Sequence, residues 1–167
     1  MRLALLLCLF LSACQNYDVT VNDRLVYGPV KPFNDFEVPD AALQQCLTQR
    51  IVDEGVSDPL DLRILNCSSA GIASLQGLGL FAALQQLKFS DNRIRNLVEL
   101  GQLNELEVIW LDGNDVIDPV PLVQLRKLRQ VDLSGNTDLQ CPRSGAFSSV
   151  DALTLPKHCG ALPATHP

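Results

Sequence analysis

Residues 84–94 read LQQLKFSDNRI, residues 106–116 LEVIWLDGNDV and residues 128–138 LRQVDLSGNTD. The opening leucines stand 22 residues apart, and one further step back from Leu84 reaches Leu62 and the segment LRILNCSSAGI. A fixed period of this size marks an array of stacked units, none of which can bury its apolar face alone. Counted from the first leucine, positions 1, 4, 6, 11, 14, 17 and 20 are apolar in the units from Leu62, Leu84 and Leu106, with Pro119 the one exception. Positions 4 and 6 lie two apart and share one face of a strand, so positions 3, 5 and 7 face the other way. Asn92, Asn114 and Asn136 fall at position 9, where the chain leaves the strand and turns inward. A carboxamide there bonds the backbone of its own and a neighbouring coil, which makes a ladder. The first unit carries Ala70 at that position and reads as a boundary coil.

These units resemble the leucine-rich repeat consensus LxxLxLxxNxI, and PDAALQQCL at residues 39–47 resembles the helical cap of internalin-like bacterial arrays. The resemblance implies an α/β repeat: a short right-handed leucine-rich repeat solenoid with parallel strands on the concave side, a small N-terminal helical cap and a disulfide-closed C-terminal cap. It implies residues 37–61 as the first cap, 62–138 as the repeats and 139–160 as the second cap. Asp40 is placed to start the cap helix and Gly55 to stop it. Pro119 and Pro121 argue against a continuous helix on the outer side of the third coil. Asp138 replaces the apolar residue at position 11 of the fourth unit, where the array is expected to end.

Ahead of the repeats, residues 1–13 (MRLALLLCLFLSA) carry one positive charge and an apolar run too short to span a bilayer, the pattern of a signal peptide. Leu11, Ser12, Ala13 and Cys14 resemble a bacterial lipobox, which implies acylation of Cys14. Gln15 after that cysteine implies an outer-membrane lipoprotein, by the sorting rule of Gram-negative lipoproteins. Residues 14–36 are expected to form a lipidated tether, with a hairpin of YDVTV and RLVY about Asn22-Asp23 inside it. Residues 161–167 are expected to be disordered. Without Arg2 the chain holds 12 basic and 19 acidic residues, a charge of about −7 that disfavours nucleic acid and anionic lipid headgroups.

Catalytic signatures are lacking: no GxSxG, HExxH or CxxC occurs, and the two histidines, His158 and His166, lie outside the repeats. Gly77-Leu78-Gly79 lacks the third glycine of a dinucleotide loop. In DGNDVID (112–118), Val116 stands where a calcium loop needs an oxygen ligand. No catalytic residue, cofactor or metal is therefore expected. Besides the acylated Cys14, four cysteines remain after processing; their spacings hold no close pair of metal ligands, so two disulfides are the simpler reading. Strands stack at about 4.8 Å, which sets the ends of four coils roughly 15 Å apart and excludes bridges between the two caps. The pairs expected are Cys46–Cys67 and Cys141–Cys159.

Asn66, Gln86, Lys88, Val108, Trp110, Asp112, Gln130 and Asp132 occupy positions 3, 5 or 7 and form the expected binding face. Trp110, the only tryptophan, lies at its centre, the kind of anchor that dominates interfaces. The reading is of a lipid-anchored envelope module that binds a protein or peptide on this face and is no enzyme. The alternative is a structural accessory lipoprotein of a larger envelope assembly with no ligand of its own.

Overall fold

The computed structural model describes residues 19–22, 24–27 and 31–160. The signal segment, Cys14 and the tail 161–167 lie outside the described residues. Val19–Val21 (β1) and Arg24–Tyr27 (β2) pair as an antiparallel hairpin, with Asn22 at φ 51° supplying the left-handed turn. The hairpin belongs to a unit separate from the repeats, which start their own unit at Pro32.

Helix α1 (Ala41–Glu54) follows Pro39-Asp40 and buries Leu43, Leu47 and Ile51, whose four-residue steps put them on one face. Gly55, at φ 63°, ends it by donating to Ile51 O and Val52 O. The cap begins earlier than the expected boundary between tether and cap at 36/37. Phe33 N donates to Val56 O at 2.7 Å, Phe33 and Phe36 stack at 5.6 Å, and Phe36 meets Phe81 edge-on at 5.4 Å. Phe81 fills position 20 of the first coil, and two more rings cover it more fully than the helix alone.

The repeats give a parallel sheet in chain order: β3 (Ile64–Asn66), β4 (Gln86–Lys88), β5 (Val108–Trp110), β6 (Gln130–Asp132) and β7 (Ala152–Thr154). Every register is one 22-residue step, so Leu65, Leu87, Ile109 and Val131 lie in line, each at most 1% exposed. Strand β7 corrects the expectation that the array ends at residue 138. Val150, Leu153 and Leu155 hold positions 1, 4 and 6 of a fifth coil, and Leu153 pairs with Val131. Buried Leu139 fills the fourth turn one residue after Asp138, so the chain comes round again. The fifth coil is less covered, with Val150, Leu153 and Leu155 only half-buried.

On the outer side the coils carry short 3-10 turns at Leu78–Leu80 and Val98–Gln102, and one helical turn, α2 (Val120–Val123). The third coil has no continuous helix on its outer side, only this one turn, in line with Pro119 and Pro121. Pro119 is the N-cap and Pro121 lies within the first turn, where a missing N–H costs no intrahelical bond.

The asparagines are buried, and each closes one turn. Asn114 Oδ1 accepts from Ile94 N at 3.0 Å, while its Nδ2 donates to Phe89 O at 2.8 Å and Leu111 O at 3.0 Å. Asn92 repeats this with Ile72, Cys67 and Phe89, and Asn136 with Val116, Leu111 and Leu133. Each therefore ties its own coil to the one before. Two bridges close the ends: Cys46–Cys67, with α-carbons 6.0 Å apart, joins α1 to the first coil, and Cys141–Cys159, at 5.3 Å, joins the fourth turn to the chain after β7. Each closes a loop of about 20 residues, worth roughly 3 kcal/mol in the chain-entropy view.

Asp40 joins the cap to the array a second time. Its Oδ1 accepts from Ala42 N and Leu43 N, both at 3.0 Å, and its Oδ2 from Ala73 N at 2.8 Å and Ser74 N at 2.9 Å. Burial pushes this carboxyl up, but the four N–H donors outweigh it and hold the group below the ordinary 3.8. A depressed folded-state value means stability that is present at neutral pH and lost as pH falls through that value. Asp40→Asn, which keeps one acceptor and loses the charge, is expected to cost about 1–2 kcal/mol at pH 7. That deficit should shrink below pH about 4, as the wild-type carboxylate protonates. Urea melts of both chains across that range check it, and a pH-independent difference would contradict it.

Candidate functional site

Because the registers are all one repeat apart, the outward side chains of the strands form two straight columns. Position 3 lines up Ile64, Gln86, Val108, Gln130 and Ala152; position 5 lines up Asn66, Lys88, Trp110, Asp132 and Thr154. Trp110 is thus the direct cross-strand partner of Lys88 on one side and Asp132 on the other. Ala152 and Thr154 extend the face beyond the four strands expected. The signal for them was present as VDALTL at residues 150–155, which matches the apolar steps of the earlier units.

Trp110 and Val108 are half-buried side by side on the central strand, a small apolar spot within a polar sheet, and Ile64 is exposed on the edge strand, with Gln86 between it and Val108. The polar rim is held by local bonds. Ser90 Oγ donates to Asp112 Oδ1 at 2.6 Å, Ser134 N donates to Asp132 Oδ1 at 2.9 Å, and Asn66 Oδ1 accepts from Ser68 N and Ser68 Oγ. These bonds leave each aspartate its second oxygen. Neither Lys88 nor the Trp110 indole nitrogen hydrogen-bonds another of the described residues, so both are free to meet a ligand.

Where the strands end, position 8 takes a left-handed conformation in four coils, at Ser69 (φ 55°), Asp91 (56°), Gly113 (67°) and Gly135 (76°). A Cβ on Gly135 would stand 3.0 Å from Gly113 N and 3.2 Å from Gly113 Cα, so in the fourth coil this row packs closely against backbone. The row is a fixed ledge beside the concave face rather than a loose set of loops.

The expected cysteines are all in disulfides, at the two ends of the array. His158 holds position 9 of the fifth coil, the ladder position, and its Nε2 donates to Leu139 O at 2.9 Å. The fold also gathers a group that spacing did not reveal: Cys141, His158 and Cys159 have ligand-type atoms all within 4.8 Å of one another. Cys14 lies outside the described residues.

As the only tryptophan, Trp110 reports on the face directly. Its emission in the folded chain should be quenched by acrylamide, and Trp110→Ala should alter stability by about 1 kcal/mol or less in a urea melt. Unquenchable emission, or a loss of about 3 kcal/mol, would put the indole in the core instead.

No family model and no curated protein matches the chain. Solved structures do. An internalin of Listeria monocytogenes (InlF) superposes at a TM-score of 0.63 with 22% identity over 71% of this chain and 37% of that one. Internalin C2 of the same organism gives 0.56 with 19% identity over 70% of this chain and 64% of that one. The functional domain of InlJ, described as including a cysteine ladder, gives 0.58 with 20% identity over 69% of this chain and 26% of that one. The chain thus spans less than two thirds of the length of each of these structures. At such identities the likeness concerns the backbone, and it shows that this chain has the leucine-rich repeat fold of the internalins.

Proposed function

We propose that the protein is a lipid-anchored cell-envelope module that binds a protein or extended peptide on its concave face and performs no catalysis. The observation that carries this reading is the half-buried Trp110, backed by Val108 and with no hydrogen-bond partner for its indole nitrogen among the described residues. An aromatic side chain held rigidly in a polar sheet loses little entropy on binding and offers both apolar area and a donor. The fold supports the same reading by analogy, since solenoids present extended concave surfaces for recognition.

Five short strands about 4.8 Å apart, with two outward positions each, expose only a few hundred Å², against about 800 Å² per partner in a standard interface. The ligand is therefore a peptide-sized segment, or a larger protein that also grips the ledge at Asp91, Gly113 and Gly135. Anchoring is assigned to acyl chains on Cys14, from the Leu11 to Cys14 signature, and Gln15 favours the outer membrane in a Gram-negative host. Residues 14–31 would then be the tether.

Capture from detergent-treated membranes with the lipidated full chain, followed by titration of the captured client, tests both parts. Trp110→Ala should weaken the client's binding by about 2 kcal/mol, roughly thirtyfold. Cys14→Ser should accumulate precursor or leave the membrane fraction. Equal affinities would move the site off the concave face, and co-purification only with a multi-subunit machine would favour the accessory role. Normal membrane fractionation of Cys14→Ser would overturn the anchor.

A further inference from the structure

The end of the array that β7 closes holds chemistry that neither the ladder nor the concave face uses. Cys141 leaves the fourth turn, and His158 and Cys159 sit in the 3-10 turn Lys157–Cys159 after β7. The sulfur atoms and a ring nitrogen lie within 4.8 Å of one another, and Cys141 and His158 are exposed to solvent. A tetrahedral zinc ion with bonds of about 2.3 Å to sulfur and 2.0–2.1 Å to nitrogen needs its ligands about 3.6–3.8 Å apart, inside that distance.

One ring nitrogen of the histidine is also held by the backbone, as in many metal-bound imidazoles. Its Nε2 donates to the carbonyl of Leu139 at 2.9 Å, so Nε2 carries the proton and Nδ1 keeps its lone pair. A backbone carbonyl on the far ring nitrogen is the usual second partner of a ligating histidine. Leu139 is buried, so the carbonyl that holds the ring belongs to the packed part of the fourth turn.

We propose that Cys141, His158 and Cys159 form a redox-gated site for a thiophilic divalent cation, zinc above all, which is filled when the Cys141–Cys159 disulfide is reduced. The disulfide sulfurs are poor ligands, so the oxidised chain holds the site closed. A dithiol reductant supplies two electrons and two protons: the S–S bond breaks, two thiols form, and the dithiol becomes a disulfide. Zinc then displaces both thiol protons and takes the imidazole as third ligand, with water in the fourth position. A disulfide oxidant takes the two electrons back and leaves as its dithiol: the S–S bond re-forms and the ion is released, so the same three residues close the end of the array in either state.

The test uses the full-length chain, reduced with dithiothreitol, freed of it without air, and titrated with cobalt and then zinc. Thiolate ligation gives cobalt a near-ultraviolet charge-transfer band, which should saturate at one ion per chain and be absent from the unreduced chain. His158→Ala should weaken binding at least tenfold, and Cys141→Ser should abolish the band. X-ray absorption of the zinc-loaded reduced chain should show two sulfur and two nitrogen or oxygen neighbours. A missing band, unchanged affinity in His158→Ala, or a shell of four sulfurs would each overturn the proposal.

Discussion

Everything in this molecule depends on satisfying the backbone where each coil turns from the sheet into the core. Sheet hydrogen bonds end at position 8, yet the chain must pass under its own strand through a region that excludes water. There an unpaired N–H or C=O costs about 1–3 kcal/mol. Asn92, Asn114 and Asn136 meet that demand with one oxygen and one NH2 group each. Each joins the N–H at position 11 of the preceding coil to the carbonyls at position 6 of both coils. Only a carboxamide has donor and acceptor on one short, uncharged arm; an aspartate would bring a charge and lack the donors. No buried side-chain nitrogen or oxygen among the described residues is left unpaired.

The ladder fixes the period, and the period fixes the face. Because every coil turns at the same place, each strand pairs with the next at the same register, and the outward residues fall into straight columns. Trp110 stands out of the core for this reason, as one slip in register would carry it inward and expose Ile109. The ends are where the repeat stops solving its own problem. At the start Asp40 supplies the acceptors, α1 with Phe33 and Phe36 supplies apolar cover, and Cys46–Cys67 ties the pieces together. At the far end the cover is thinner, with Phe147 buried but Leu153 and Leu155 half-exposed, and a disulfide again closes the turn.

The repeated core, the cap helix and the columns of the sheet could be read from residue spacing, because a 22-residue period carries the same apolar signal several times over. The fifth coil keeps the apolar steps at Val150, Leu153 and Leu155 but loses the other markers. His158 stands where the ladder asparagine belongs and the apolar residue of the fourth turn comes one place late, at Leu139, so two markers fail together. The cap's phenylalanines were hidden for a different reason: Phe33 and Phe36 belong to no repeat, and their packing on Phe81 depends on a contact 45 or more residues away in sequence. The meeting of Cys141 with His158 and Cys159 likewise needs β7 in place, which spacing alone did not supply. Pro119 and Pro121 did show that the outer side of the third coil has no continuous helix, and the single turn there starts at these prolines, where a missing N–H costs no intrahelical bond.

Native-state hydrogen exchange tests the central account most directly, by following the amides of Ile72, Ile94 and Val116, which donate to the three asparagines. If the ladder holds the coils together, these three exchange as slowly as the strand amides of Cys67 and Phe89 and open only with the whole array. Fast exchange at the three turns, with the strands still protected, would show the ladder to be dispensable and contradict the account.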